Sequence, residues 1–312
     1  MLEFYKTFED GTRKIAEPEP GCWINAVAPT EEERNFLIEQ IGILPEFVKS
    51  SLDEEESSHI DYDDDFRQVL IIFDYPSAEN EDDDSIDSTY STLPIGIVIL
   101  KGYVVTISLY ENWSILEMSQ GRIKGMDTRL KTRFFLLLAL RISQRFLICL
   151  RQIDRLSGRT ETRLHQSVEN DELIEMLGLE KSLVYFSTSL KSDEVTLSKI
   201  MRGKQIQLYE EDEDLLEDVM IEIHQAIEMC NIYSNTMAGT MDTFASIISN
   251  NMNIVMNKLT VITIVMAIPN IIFGFYGMNV QLPFPFVWFP SFVAILACVI
   301  ATVYFFRHNM FK

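Results

Sequence analysis

Two long uncharged segments near the C-terminus constrain this chain most. Leu259–Phe275 and Phe284–Phe306 contain no Asp, Glu, Lys or Arg. A helix needs about 20 predominantly apolar residues to cross roughly 30 Å of hydrocarbon, and each segment approaches or exceeds that length. The link between them, residues 277–285, is also uncharged and carries Pro283 and Pro285. The two segments therefore predict a transmembrane hairpin with a short turn outside the membrane.

Charge divides the 312 residues into two unequal parts. The net charge is −21, but the segment from Asn231 onward has three positive residues and one negative residue, or +2, which leaves −23 for the part before it. We therefore expect an acidic soluble domain of roughly 230 residues, large enough to form its own core. Such an acidic surface repels phosphates, so nucleic acid is not an expected partner. The charged residues after Asn231 are Asp242, Lys258, Arg307 and Lys312.

The positions of the basic residues predict the orientation in the membrane. Lys258 precedes the first apolar segment, whereas Arg307 and Lys312 follow the second. Positive charge is enriched on the cytoplasmic side, so we expect both termini in the cytoplasm of a multi-pass protein of the cell membrane. The N-terminal residues lack the basic and apolar regions of a signal peptide. Four scattered cysteines without CxxC spacing indicate structural thiols in a reducing compartment.

The acidic part begins with mixed α/β character and continues with long helices. β-rich runs at 22–28, 68–74, 95–100 and 103–109 predict strands, and the polar stretch 77–91 predicts a loop. Thr30 followed by Glu33 predicts a capping box at the start of a helix. Helical periodicity then covers 128–165, 171–201 and everything from 211 to the membrane, the last as one continuous rod.

These patterns divide the chain into six parts. We expect an α/β cytoplasmic domain, long cytoplasmic helices, a stalk helix that continues into the first span at about 259–277, an external loop, a second span and a basic tail. Their respective bounds are 1–125, 126–210, 211–277, 278–286, 287–306 and 307–312.

A stripe of small and polar residues follows the predicted stalk helix at alternating steps of three and four. A period of 3.5 residues keeps one helix face toward a common axis when helices wrap around each other. Small residues alone would also suit close helix packing in lipid, but Asn253, Thr263 and Asn270 fit an aqueous lumen better. With two spans per chain, a pore needs several subunits. The stripe includes Asn235, Gly239, Asp242, Ser246, Ser249, Asn253, Met256, Thr260, Thr263, Ala267, Asn270 and Gly274.

The end of the first span carries the sequence Tyr276-Gly277-Met278-Asn279. Upstream of it lie Gly239-Thr-Met-Asp242, Ser249-Asn250, Asn253 and Val255-Met256, in order and spacing typical of a pore helix. Together these residues resemble the CorA family of divalent-cation channels. The resemblance implies a homopentameric funnel in which this helix lines the axis. Residues 280–286 depart from the family pattern, since they lack the acidic residue that many members carry there.

The resemblance also implies roles for individual residues. Gly277, Met278 and Asn279 would form the selectivity filter, where oxygens accept hydrogen bonds from the retained waters of Mg²⁺. Met256 and Leu259 would form an apolar constriction. Asp242 would attract cations at the inner mouth.

The acidic domain is expected to sense the same ion that the pore transports. In the family, divalent ions bind between cytoplasmic domains of adjacent subunits and hold the pore closed. Asp218 matches one such acidic position, and Asp74 and Glu79 are candidates for its partner. Mg²⁺ would then be both the transported and the regulatory ion.

The leading hypothesis is a Mg²⁺ channel, with Co²⁺ and Ni²⁺ as further candidate ions. One alternative is a zinc transporter on the same scaffold, although the predicted pore stripe contains no histidine. A second alternative is a membrane-tethered enzyme or signalling domain. Because the sequence shows no Gly-rich phosphate loop and only isolated histidines, we expect that the protein is not an enzyme.

Overall fold

The computed structural model describes residues 1–9, 11–78, 89–166, 170–203, 206, 208–278, 286 and 288–307. Two compact units can be distinguished, Met1–Ala238 and Gly239–Lys312. The first contains a mixed α/β domain with long helices, and the second contains the apolar helices. The α/β class and the two C-terminal apolar helices agree with the prediction from sequence.

The described residues of the first unit form one sheet of seven strands in the order β2-β1-β3-β7-β6-β5-β4. Neighbouring strands are antiparallel except for β3 and β7, which are parallel. The tight turn at Lys101-Gly102 joins β6 to β7, and its glycine has a φ of 97°, where a side chain would be strained. The strands are β1 Leu2–Phe8, β2 Gly11–Ile15, β3 Cys22–Val27, β4 His59–Asp63, β5 Gln68–Ala78, β6 Tyr90–Leu100 and β7 Tyr103–Ser108.

The range predicted as a loop, residues 77–91, includes residues at both ends that belong to strands in the structure. Strand β5 continues through Ala78 and β6 resumes at Tyr90, where Ser77 pairs with Ser91 in antiparallel register. Short polar residues suggested a loop, but pairing between two eleven-residue strands keeps their ends extended. Residues 79–88 lie outside the described part of the chain.

One face of the sheet is covered by short helices. Helix α1, Glu31–Phe36, begins with the predicted capping box: the side chain of Thr30 accepts a hydrogen bond from the Glu33 N–H while the Glu33 side chain binds the Thr30 N–H. A π-helical turn, Leu37–Ile41, and helix α2, Pro45–Ser50, follow. Apolar side chains of β3, β5, β6 and β7 form a buried cluster with Leu37, Ile43, Phe47 and Val48.

The opposite face packs against long helices through aromatic side chains. Trp23 of β3 lies 5.1 Å from Phe134, and Phe73 of β5 lies 6.0 Å from Phe135. A third contact joins two helices, since the rings of Phe146 and Phe186 are 5.1 Å apart. The helices on this side are α3 Trp113–Ser119, α4 Lys131–Gln166 and α5 Asn170–Arg202.

The predicted rod is present as α6, Glu210–Tyr276, a continuous helix of 67 residues. At 1.5 Å per residue it is about 100 Å long. Helix α7, Phe289–Arg307, has 19 residues. Both helices are long and apolar enough to cross a membrane, and their apolar windows are only 6% buried. Such exposure is costly in water, so these two helices suit a lipid environment.

Candidate ion pathway

Helix α6 contacts α7 with one face. Val261 is almost fully buried, the Cys298 thiol of α7 lies 3.6 Å from the Val265 carbonyl oxygen, and the Tyr276 ring lies 6.2 Å from Phe289. These positions recur at spacings of four and eleven residues, which keeps them on one side of a helix with 3.6 residues per turn. The side of α6 that faces α7 is therefore apolar and aromatic.

The predicted polar stripe lies on the other side of α6. Nine residues correspond to two and a half helical turns, so residues nine apart point in opposite directions. By this measure Asn270 lies opposite Val261, and Met256 lies opposite Val265. Thr263, Asn270 and Gly274 are exposed in the single chain, as are the other predicted pore residues except Ala267, which is half-buried. The stripe is consequently free of α7.

Part of the stripe lines one open groove in the second unit. Asp242, Ser246, Ser249 and Asn253 border this groove together with Ala245 and Asn250. The groove brings one carboxylate, two hydroxyls and two amides together along three turns of helix, without a basic side chain among its lining residues. The surface therefore offers oxygen acceptors beside the amide N–H donors, with the Asp242 carboxylate at one end.

Three hydroxyl groups of the stripe donate to the backbone of their own helix. Thr260 Oγ1 donates to the Met256 carbonyl and Thr263 Oγ1 to the Leu259 carbonyl, each at 2.8 Å. Ser246 Oγ donates to the Asp242 carbonyl at 3.0 Å. Because the proton of each hydroxyl is used in this way, its lone pairs face outward as acceptors. Acceptors are the groups that the water shell of a cation requires.

The end of α6 is tightly turned at Gly277. Its N–H donates to the Phe273 carbonyl at 2.8 Å, and Met278 N–H approaches the Phe275 carbonyl at 3.4 Å. A side chain at position 277 would place its Cβ 3.2 Å from the Phe273 oxygen, so glycine here provides space for the turn. Met278 is 55% exposed. Asn279, whose side chain is predicted to form the acceptor ring of the filter, lies outside the described residues.

The three candidate regulatory acids fall in different surroundings. Asp218 is exposed on α6. Asp74 is only 7% exposed and lies under α5, where burial raises the pKa of its carboxyl and a hydrogen bond from Ser189 partly offsets the rise. This burial argues against Asp74 facing a neighbouring subunit. Glu79 lies outside the described residues, and among those residues no three acidic, thiol or imidazole groups converge to form a metal cage.

Sequence reasoning missed two residues that the structure makes notable. The sequence pattern indicates only a structural thiol at Cys298, yet this thiol lies 3.6 Å from the Val265 carbonyl oxygen, which Pro269 leaves without a helical donor. Asp193 was not singled out, although it occupies an apolar-period position of α5. The signal for Asp193 was present in the sequence, as an acid at a position where the helical pattern calls for an apolar residue.

A family model described as "CorA-like Mg2+ transporter protein" matches residues 19–308. The chain belongs to this family. The CorA family is thus the correct interpretation of the Tyr-Gly-Met-Asn sequence and of the two apolar helices. The family description names a transporter, which agrees with the prediction that the protein is not an enzyme.

One named relative supports the same assignment, and a solved structure shares the fold. The cobalt/magnesium transport protein CorA of Methanocaldococcus jannaschii is 29% identical over 266 residues, which cover 82% of this chain and 79% of that protein. The complete structure of the CorA magnesium transporter from the same organism has a TM-score of 0.82 at 24% identity and covers 99% of this chain and 98% of its own.

More distant structures share the fold. Full-length CmaX matches with a TM-score of 0.72 at 16% identity, covering 99% of this chain and 97% of its own. The cytoplasmic domain of ZntB from Vibrio parahaemolyticus matches with a TM-score of 0.61 at 13% identity, covering 80% and 98%. At these identities the likeness concerns architecture, so the zinc alternative gains no support from it.

Proposed function

We propose that this CorA-family chain forms a channel that admits Mg²⁺ into the cell, with Co²⁺ and Ni²⁺ as further candidate ions. The observation that carries the proposal is the acceptor-lined stripe of α6, which faces away from α7 and includes Thr263 and Asn270. Membership of a Mg²⁺ transporter family and a relative named for cobalt and magnesium transport support the choice of ion.

The channel is an assembly of copies of this chain. A polar stripe that faces hydrocarbon within the first span is unfavourable, because the Asn270 amide would lack partners there. Copies of α6 arranged around an axis turn the stripes toward a shared aqueous lumen, and the family resemblance implies five copies. Both termini then lie in the cytoplasm, and α7 separates α6 from the lipid.

The ion enters with part of its water shell. Mg²⁺ is dehydrated only reluctantly and demands near-octahedral geometry. A ring of Asn279 amide oxygens, together with the carbonyls of Gly277 and Met278, accepts hydrogen bonds from the ion's waters, and the hydroxyls of Thr260 and Thr263 continue these acceptors along the lumen. Inward movement of a divalent cation gains about 4.6 kcal/mol per 100 mV of inside-negative potential.

The gate is apolar and its control is electrostatic. Rings of Met256 and Leu259 form a constriction that closes by dewetting. Asp242 attracts cations at the inner mouth. Cytoplasmic Mg²⁺ bound at the exposed Asp218 holds the subunits together and keeps the gate closed, with Glu79, rather than the buried Asp74, as the second ligand.

Flux into liposomes that contain the purified full-length protein tests this function. We expect wild-type protein to admit Mg²⁺ at low internal Mg²⁺ and Asn279→Ala to reduce entry at least about ten-fold, since a ring of acceptors is lost. Asn257→Ala is the matched control. It makes the same change on α6 at a position outside the stripe, four residues before the buried Val261, and should leave the flux unchanged.

Other outcomes identify the alternatives. Entry of Zn²⁺ without Mg²⁺ would assign the chain to zinc transport. Absence of flux for every divalent ion, together with a monomeric mass in detergent, would leave the membrane-tethered domain as the better interpretation.

A further inference from the structure

Helix α5 buries an acid in the middle of its apolar face. Six side chains of this face, spaced alternately by three and four residues, are at most 2% exposed. Five are apolar and pack toward the sheet or the neighbouring helices, whereas the fourth in order is an aspartate with no exposed surface. An isolated buried carboxylate is strongly unfavourable, so this position requires a compensating partner. The six residues are Leu183, Phe186, Leu190, Asp193, Leu197 and Ile200.

A second acid lies beside it. The Asp74 backbone N–H of β5 donates to Asp193 Oδ1 at 3.0 Å, and the carboxyl of Asp74 is itself buried. Asp193 Oδ2 is buried without any hydrogen-bond donor in the described part of the chain. No Lys, Arg or His forms an ion pair with either acid among the described residues. The next residue on α5, Glu194, instead bonds His224 of α6 at 2.7 Å.

Hydroxyl groups lie near both acids. Ser58 Oγ bonds Thr196 Oγ1 at 2.9 Å and also approaches Asp193, and both hydroxyl residues are buried. Ser189 Oγ donates to Thr92 Oγ1 at 2.8 Å and lies close to the Asp74 carboxyl. Hydroxyl oxygens of Ser58 and of α5 thus lie near the two carboxyls, and oxygen is the ligand atom that hard divalent cations prefer.

No positive group among the described residues balances the negative charge of Asp74 and Asp193 when both are ionised. Burial raises the pKa of Asp193 well above its usual range, and the nearby Asp74 raises it further, while the Asp74 N–H and Ser58 offset only part of the rise. Burial raises the pKa of Asp74 as well. Two like charges therefore do not persist here unaided, and the pair takes up either a proton or a cation.

We propose that Asp74 and Asp193, with Ser58, Ser189 and Thr196 as hydroxyl neighbours, bind one divalent cation of the Mg²⁺ type inside a single chain. A bound cation balances the charge of both carboxyls. It also provides a ligand contact for Asp193 Oδ2, which has no hydrogen-bond donor among the described residues. It would fasten α5 to the sheet. The site uses none of the residues proposed for the pore and does not include Asp218, and it does not depend on ion conduction.

Counting bound Mn²⁺ by electron paramagnetic resonance on the full-length protein in detergent tests this site. Asp193→Asn keeps an acceptor for the Asp74 N–H but removes one charge, and we expect it to bind one Mn²⁺ fewer per chain than wild type. Asp74→Asn should lose the same ion. Glu194→Gln is the matched control on the adjacent α5 residue and should keep the wild-type number.

A stability measurement separates a cation from a proton. With a cation site, 10 mM Mg²⁺ raises the thermal midpoint of wild type more than that of Asp193→Asn, in an Asp218→Asn background that removes the proposed site between subunits. An unchanged Mn²⁺ count, together with an Asp193→Asn variant at least as stable as wild type in the absence of Mg²⁺, would overturn the proposal and assign the pair a proton alone.

Discussion

At the level of single residues, a proline in the first span leaves one backbone carbonyl without its helical donor, and a thiol of the second span lies beside that carbonyl. Pro269 lies inside α6 and has no N–H, so the Val265 carbonyl four residues earlier lacks its helical donor. The Cys298 thiol of α7 points at that oxygen from 3.6 Å. In hydrocarbon a freed carbonyl has no water to bind, so even a weak S–H donor is useful there.

This contact predicts a coupling between the two residues. Cys298→Ala should destabilise wild-type protein by about 0.5–1 kcal/mol, but should have little effect once Pro269→Ala has restored the backbone donor. Thermal unfolding of the four proteins of this double-mutant cycle in detergent measures the coupling. Equal effects of Cys298→Ala in both backgrounds would show that the thiol contributes by packing alone.

At the level of helices, α6 and α7 each carry a threonine whose hydroxyl donates to the backbone of its own helix, but the two threonines lie in different surroundings. Thr263 on the stripe and Thr302 on α7 both donate to the carbonyl four residues earlier at 2.8 Å, and both are exposed in the single chain. Their position is what distinguishes them, because Thr263 belongs to the face that we propose lines the lumen. The pair offers a matched comparison of pore and non-pore hydroxyls.

Thr263→Val should lower Mg²⁺ flux, whereas Thr302→Val should not. Valine keeps the shape of threonine and removes the acceptor, and one lost hydrogen bond of about 1 kcal/mol corresponds to roughly a five-fold change in rate. Liposome flux at equal protein content measures both variants. Similar losses in the two variants would indicate a general effect on helix packing and would remove Thr263 from the proposed pathway.

At the scale of the whole molecule, the distribution of charge connects the soluble part to the ion. The part before Asn231 has a net charge of −23, against −21 for the whole chain, and the exposed acids of α6 include Glu217 and Asp218. Copies of such a domain repel each other, and divalent cations at their interfaces relieve that repulsion more effectively than monovalent salt at the same ionic strength.

Millimolar Mg²⁺ should therefore slow proteolysis of the soluble part in the full-length assembly. Asp218→Asn should reduce the protection, because it removes a proposed ligand between subunits. The time course of limited proteolysis, with NaCl at matched ionic strength as the control, measures the effect. Equal cleavage rates with and without Mg²⁺ would count against a sensor role for the acidic domain.

Much of the architecture was predictable because it depends on local patterns. Uncharged segments predicted the spans, a helical period without proline predicted the rod before Pro269, and the pair Thr30 and Glu33 predicted a capping box that is present. The Tyr276-Gly277-Met278-Asn279 sequence indicated the family that the family model confirms. Each of these signals is carried by residues near one another in the chain.

Other features depended on contacts between residues far apart in sequence. The pairing of Ser77 with Ser91 extends two strands into a predicted loop, and the contact of Asp74 with Asp193 joins residues separated by 119 positions. Composition alone does not predict that Asp74 and Asp193 are buried, since acidic side chains are ordinarily exposed to solvent. Their burial follows only when the sheet and α5 come together. Local patterns were therefore enough to predict the two apolar helices, the rod and the family, whereas contacts between distant segments establish which acid is buried and which face of α6 is left open by α7.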